Sequence, residues 1–388
     1  MARRSQPPRD LERVVGIADL RAMARRRLPG FAFEYLDGGA EDEASLSRNR
    51  ASFADIAFTP RILRDVSSVD LGTTVLGRPV KAPFAIAPTG FNGLYWRDGD
   101  VALARAAAGA GIGLAQSTVS NAAVEDVART VPAFHWFQLY ALSGEGVTEA
   151  LLRRAEAAGC HALVFTVDGP VVGNREWDRR NYRAPGKLDL RNRIDVLAHP
   201  GWLWRVYRHG LPPFANLAPL VPGGGGPLAT QRWLQARQDA SLDWSMVAWL
   251  RERWPGPIVL KGILSPQDAV LAAGAGVDGI ILSNHGGRQL DGAVAPMTVL
   301  PEIAAAVGAR ITVMIDGGFR RGSDIAKALM LGAELVFVGR APLYGLGAAG
   351  EAGAAAAIET LRAELARVMA LLGARDIAAL RALGNAAR

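Results

Sequence analysis

A single cysteine, Cys160, stands in the 388-residue chain, which excludes a disulfide framework and any zinc site built on paired thiolates. No metal site is expected. No apolar run reaches the roughly 18 residues that a membrane span needs, and the opening Met1-Ala-Arg-Arg-Ser-Gln-Pro-Pro8 has no apolar stretch of signal-peptide type. A cytoplasmic, reducing location is therefore the expectation. Charged residues are only 21% of the chain and hydrophobic ones 50%, a balance that excludes disorder. Acidic residues are the minority sign, 37 against 44 Lys and Arg, leaving a formal charge of +7. Two stretches have the Gly-x-Gly-x-x-Gly spacing, Gly274 to Gly279 and Gly345 to Gly350. Neither follows a strand and opens a helix, so a dinucleotide fingerprint is excluded by context.

The excess positive charge is concentrated. Between Arg175 and Pro213 nine Lys or Arg face four acids, and seven of the nine tryptophans fall between Trp177 and Trp254. Elsewhere the chain alternates short apolar runs of strand type with Ala- and Leu-rich stretches of helical period, such as Asp100 to Ala110, Ala122 to Thr130 and Asp324 to Leu331. The runs are Phe84 to Pro88, Gly113 to Ser117, Trp136 to Tyr140, Ala162 to Asp168, Pro257 to Lys261, Gly279 to Ser283, Ile311 to Asp316 and Leu335 to Gly339. Eight doubly buried strands with crossover helices predict an α/β protein closed as a (β/α)8 TIM barrel. Residues 1–80 are expected as a helical N-terminal segment and 81–388 as the barrel, with 179–240 as a long insertion after the fourth strand and 350–372 as an amphipathic closing helix.

Barrel chemistry sits at the C-terminal ends of the strands, and here those ends turn polar or glycine-rich. Asp316-Gly-Gly-Phe-Arg320 and Gly339-Arg340 place backbone N–H groups and two guanidinium groups where barrels commonly hold phosphate. Of the five histidines, His135 and His161 open strands and His199 and His209 lie in the insertion; His285 alone stands at a strand's C-terminal end. It is the candidate general base. Asp168 can orient His285 and stabilise its protonated form, Arg175 and Arg288 can grip a carboxylate, and Tyr35 or Tyr140 can bond a neighbouring hydroxyl. Lys261 ends a buried strand, where an unpaired ammonium is costly; an electron-rich partner is expected beside it.

Ser283-Asn-His-Gly-Gly-Arg-Gln-Leu-Asp291 resembles the signature of the FMN-dependent L-2-hydroxy acid dehydrogenases and oxidases. So do Tyr35 to Glu43, Pro88-Thr-Gly90, Trp136 to Tyr140, Phe165 to Asp168, Gly173 to Asp178, Leu260-Lys-Gly262, Asp316 to Gly322 and Lys327-Ala-Leu329, so the resemblance spans nearly the whole chain. It implies FMN across the barrel mouth, with Pro88, Thr89, Ser117, Gln138, Thr166, Lys261 and Ser283 around the ring, and the phosphate at Asp316, Gly318, Arg320, Gly339 and Arg340. It also implies a substrate carboxylate on Tyr35, Arg175 and Arg288, and a hydroxyl near Tyr140 and His285. His285 then removes a proton from Cα or from the hydroxyl, and the residues leave both routes open.

Within that family, Pro88 to Gly93 with Trp96 looks like mandelate dehydrogenase, whereas Ala157 to Cys160 with Phe165 to Asp168 looks like bacterial lactate dehydrogenase. The expected activity is oxidation of a small (S)-2-hydroxy acid to the 2-oxo acid, with a quinone or other acceptor taking the electrons; the alternative is an oxidase that reduces dioxygen to hydrogen peroxide. Val119 and Gly90, expected on opposite sides of the substrate pocket, imply room for an aromatic or branched side chain. The resemblance implies a homo-oligomer, usually a tetramer, and no nucleic-acid partner is expected. The insertion, with Trp202, Leu203, Trp204 and Tyr207 among its basic residues, is expected to bind an anionic membrane surface peripherally. Replacing residues 188–226 is expected to leave the chemistry nearly intact.

Overall fold

The computed structural model describes residues 8–131, 134–144, 146–184, 187–224 and 226–386. Eight parallel strands close into a barrel: β1 Phe84–Ile86, β2 Gly113–Ser117, β3 His135–Leu139, β4 Ala162–Thr166, β5 Ile258–Ile263, β6 Gly279–Leu282, β7 Thr312–Ile315 and β8 Leu335–Val338. Each pairs with its sequence neighbours, and β8 pairs with β1. Alternation along every strand sorts the side chains. Leu114, Phe137, Leu163, Leu260 and Ile280 point outward into the helical layer. Ala115, Trp136, Val164, Val259, Ile281, Met314 and Phe337 point inward and fill the barrel. The inward position two residues further on is polar or glycine in each of these strands: Ser117, Gln138, Thr166, Lys261, Ser283, Asp316 and Gly339. One period-two rule therefore builds both the core and the floor of a site.

The N-terminal segment departs from its expected all-helical character. Helices α1 (Ile17–Arg27), α2 (Gly30–Asp37) and α3 (Ala44–Ala51) are followed by an antiparallel hairpin, Thr73–Val75 with Arg78–Val80. Val75 and Val80 join the inward cluster that contains Trp136 and Phe337, so the hairpin stoppers the barrel at its N-terminal end. His161 bonds the hairpin's Leu76 carbonyl at 3.0 Å, and His135 bonds Gln116 Oε1 at 2.9 Å. Burial pushes the His135 imidazole down to about 4, so it stays neutral and structural. The last long helix, Arg340–Leu372, breaks at Ala349 and Gly350, which is where the amphipathic closing segment begins.

The insertion carries the helices Leu190–Leu197, Pro200–Arg205 and Pro227–Ala236, and its aromatic residues divide between two faces. Trp202 is buried, its Nε1 donating to Leu94 O at 2.8 Å and its ring edge-on to Phe31. Leu203 is partly buried. Trp202 points inward, contrary to the expected membrane role, because it covers α2 and the turn after β1. Trp204 and Tyr207 stay exposed together with Leu190, Ile194 and Leu197, the last three recurring along one helical stripe.

Trp136 is fully buried at the centre of the barrel's inward layer. Trp136→Ala should cost about 3–5 kcal/mol, measured as a lower urea midpoint at unchanged m-value. A cost below about 1 kcal/mol would show that this layer repacks.

Candidate active site

At the C-terminal mouth of the barrel lies a cleft of ≈ 1030 Å³, open to solvent, that brings together eighteen of the twenty residues expected at the site. Pro88, Thr89, Ser117, Gln138, Thr166, Lys261, Asp316, Gly318, Arg320, Gly339 and Arg340 line it with Tyr35, Gly90, Val119, Tyr140, Arg175, His285 and Arg288. The other two, Asp168 and Ser283, lie behind the wall. Ser283 is fully buried, and its hydroxyl accepts from Lys261 Nζ at 3.0 Å and from His285 N at 3.0 Å. It therefore supports two site residues instead of lining the cavity. Asp168 Oδ1 meets His285 Nδ1 at 2.9 Å, leaving Nε2 directed toward Tyr140 Oη, 3.4 Å away.

Electrostatics separate the roles of these groups. Burial pushes His285 below the ordinary histidine value, partly offset by Asp168, so the imidazole is neutral near pH 7 and able to accept a proton. Asp168 is buried too, yet the His285 and Lys261 charges outweigh that and hold it below the usual carboxylate range. Burial works against the Lys261 charge, but Asp316 and Asp168 outweigh it and hold the ammonium above its usual value. Its Nζ lies 3.3 Å from Asp316 Oδ2, the partner its position demanded. Burial and the Asp168 charge push the Tyr140 phenol up to about 12, so it remains a donor.

On the opposite wall Arg288 stacks over the Tyr35 ring at 5.2 Å and donates to Gly38 O at 2.6 Å. Arg175 Nε approaches Arg288 O at 3.4 Å. Gly90 and Val119 are neighbours instead of facing each other across the pocket: a Cβ on Gly90 would lie 2.3 Å from Val119 Cγ2, and Phe91 N donates to Val119 O at 3.1 Å. The turns after β1 and β2 form one wall, so the space beside it comes from their joint retreat. Tyr95, Leu36, Gly317, Phe319 and Leu343 also line the cleft and were not anticipated. Tyr95 lay within reach of sequence reading, since it stands beside the motif ending at Gly93.

The insertion is bonded to this site. Asn216, fully buried, donates to Ser117 O at 3.3 Å and accepts from Val124 N at 2.9 Å. Phe214 stacks on Phe91 with ring centroids 5.2 Å apart, and Phe91 meets Tyr35 edge-on. Asp195 accepts from Gly30 N at the start of α2, the helix that carries Tyr35. Replacing residues 188–226 would remove all three contacts, so the exchange would measure how far the chemistry depends on them.

A buried, charge-paired rung beneath a cleft lined by His285, Tyr35, Arg175 and Arg288 suits a bound redox cofactor. The chain belongs to the FMN-dependent dehydrogenase family, which matches residues 24–384, and FMN is its cofactor. It is 44% identical over 368 residues to an L-lactate dehydrogenase of Caulobacter vibrioides (strain NA1000 / CB15N), covering 95% of this chain and 96% of that one. It is equally 44% identical over 371 residues to the (S)-mandelate dehydrogenase of Pseudomonas putida, covering 95% and 93%. A crystal structure of a monotopic membrane protein, (S)-mandelate dehydrogenase, superposes with a TM-score of 0.91 at 42% identity, covering 95% of this chain and 98% of that chain.

The depressed His285 value sets a pH dependence. With His285 as the expected base, kcat/KM should be flat through neutral pH and fall only as pH drops below the ordinary histidine value near 6.5, because a protonated imidazole cannot accept a proton. Asp168→Asn removes a charge that raises His285, so it should slow flavin reduction by about 10²-fold or more and move the acid limb to lower pH. An acid limb that moves upward in this variant would contradict the assignment.

Proposed function

We propose that this FMN-dependent 2-hydroxy acid oxidoreductase oxidises a mandelate- or lactate-like (S)-2-hydroxy acid, with His285 as the base. The carrying observation is the His285–Asp168 pair set beside Arg175, Arg288 and Tyr35 in one cleft. The cofactor fit is supported by buried polar atoms that have no partner in the protein: Gln138 Nε2, Thr166 Oγ1 and Asp316 Oδ1. Buried polar groups are nearly always bonded, and these three suit the carbonyl and N–H edge of a flavin and a ribityl hydroxyl. Lys261 would hold the same edge, and Gly318, Arg320 and the backbone at Gly339, which opens the Arg340–Leu372 helix, would hold the phosphate.

FMN, when bound, would accept the two electrons and one of the two protons removed from the substrate, the other proton going to His285. The chain does the rest. Arg175 and Arg288 clamp the carboxylate bidentately, Tyr35 adds a hydroxyl contact, and Tyr140 donates toward the substrate oxygen. His285 Nε2 takes the proton, and Asp168 stabilises the imidazolium. Tyr95, Val119 and Gly90 border the side-chain end of the cleft, which favours a substrate carrying an aromatic or branched group through apolar burial at about 25 cal/mol per Å².

The same reading places the enzyme on a membrane surface, with a quinone or another acceptor taking the electrons. Leu190, Ile194, Leu197, Trp204 and Tyr207 are exposed together among the basic residues of the insertion. Arg208 lies 3.9 Å over the Trp204 ring. No helix among the described residues is long and apolar enough to cross a membrane, so this contact is peripheral.

Anaerobic mixing with mandelate, lactate and glycolate, followed by reoxidation with a quinone or air, tests the activity. Mandelate or a longer hydroxy acid should bleach the flavin with higher kcat/KM than glycolate, and quinone should outpace air. His285→Ala should keep FMN yet slow bleaching by about 10²–10⁴-fold. Near-normal bleaching in that variant would remove His285 from the chemistry, and a glycolate preference would overturn the substrate reading. Ile194→Asp with Leu197→Asp should abolish co-sedimentation with anionic vesicles at low salt. Unchanged sedimentation would move the contact elsewhere.

A further inference from the structure

Arg340 is expected from the sequence to serve the cofactor phosphate through its side chain. Its guanidinium is committed elsewhere. Nε donates to Leu36 O at 3.2 Å, Nη1 to Gly286 O at 2.9 Å and Nη2 to Gly38 O at 2.9 Å. Leu36 and Gly38 lie at the C-terminal end of α2, where helix carbonyls lack intrahelical partners and a cation is favoured. Gly286 directly follows His285 in a turn with three successive positive φ values, 58° at His285, 66° at Gly286 and 76° at Gly287. Left-handed backbone at a non-glycine residue persists only when its surroundings impose it. Arg340 is one of those surroundings, and a buried one at 9% exposure. Burial and the nearby Arg288 charge pull the guanidinium down to about 10, leaving it cationic at neutral pH.

Resting on the proposed roles of Tyr35 and His285, we propose that the Arg340 side chain is a positioning residue that ties the end of α2 to the His285 turn, fixing the distance between the carboxylate grip and the base. The phosphate is then left to the backbone at Gly339 and Arg340, so one residue joins both halves of the site. Arg288 shares the anchor, since it also donates to Gly38 O. Lysine at 340 keeps the charge but cannot reach three carbonyls in a planar fork.

The test compares wild-type holoenzyme, Arg340→Lys and Arg340→Ala by FMN affinity (flavin fluorescence quenching on apoprotein), by anaerobic flavin reduction with the best wild-type substrate, and by Arg340→Ala rescue with added guanidinium ion. FMN affinity should stay within about threefold, KM should rise and the limiting reduction rate should fall by at least about tenfold each, and guanidinium should restore part of the rate in Arg340→Ala. FMN affinity falling more than tenfold, with wild-type reduction in the flavin-loaded fraction, would assign the guanidinium to the phosphate and overturn the proposal. So would failure of both variants to fold, which would make Arg340 a determinant of the fold alone. A wild-type enzyme that no hydroxy acid reduces would instead defeat the functional reading and leave the positioning of Arg340 to the FMN-affinity arm.

Discussion

Closure of eight parallel strands is the constraint on which the rest depends. A closed barrel has no edges, so each strand must send alternate side chains inward, and the inward rungs must be filled. The middle rung is filled by Trp136, Phe337, Met314 and aliphatic neighbours, with the hairpin residues Val75 and Val80 below. The next rung, two residues on, carries Ser117, Gln138, Thr166, Lys261, Ser283 and Asp316, all buried. Burying this much polarity is costly without partners. Lys261 resolves its cost with Asp316 and Ser283, while Gln138, Thr166 and Asp316 each keep an atom unpaired within the protein. The floor of the site is thus a by-product of strand geometry and a reason for a bound, hydrogen-bonding ring.

Above that floor the decisive feature is conformational. His285 sits at φ 58°, a left-handed position that costs a non-glycine residue about 1–3 kcal/mol. The surrounding bonds hold it there. Ser283 Oγ accepts its N–H, Asp168 fixes its Nδ1, and Arg340 holds the next carbonyl. Asn284 forms a reciprocal amide pair with Asn49 of α3, both bonds 2.7 Å. Asn49 also packs against Gly318, whose Cβ would come within 2.6 Å of the Asn49 carbonyl. The N-terminal helices therefore support the cleft, since α3 braces the His285 turn on one side and the Asp316–Gly318 turn on the other.

Much of this was readable from residues alone, for physical reasons. Doubly buried strands write themselves as unbroken apolar runs, and all eight were legible to within about two residues at each end. Many candidate site residues fell at strand ends, where the barrel must place them, while Tyr35 came from α2. The hairpin was not legible: its strands are three residues long, one contains Pro79, and its turn puts Leu76 at φ 46° where Asn, Asp or Gly is the usual signal. Composition showed that the insertion was Trp-rich and basic but could not separate the buried Trp202 from the exposed Trp204, because facing depends on tertiary contacts. Ser283 belonged to the right motif and the right rung, but its hydroxyl is taken up by Lys261 and His285 and does not line the cleft. The Gly90–Val119 contact and the Arg340 clamp involve residues far apart in sequence, which no local pattern encodes.

The most direct test of the central claim, that the polar rung is a floor for the flavin and His285 a base held above it, is an experimental structure of the holoenzyme with a hydroxy acid or 2-oxo acid bound. The account predicts that Gln138 Nε2, Thr166 Oγ1 and Asp316 Oδ1 each gain a cofactor partner, while His285 Nε2 contacts the ligand and its backbone stays left-handed. A structure in which those three atoms remain without cofactor contacts, or in which His285 turns away from the ligand, would contradict it.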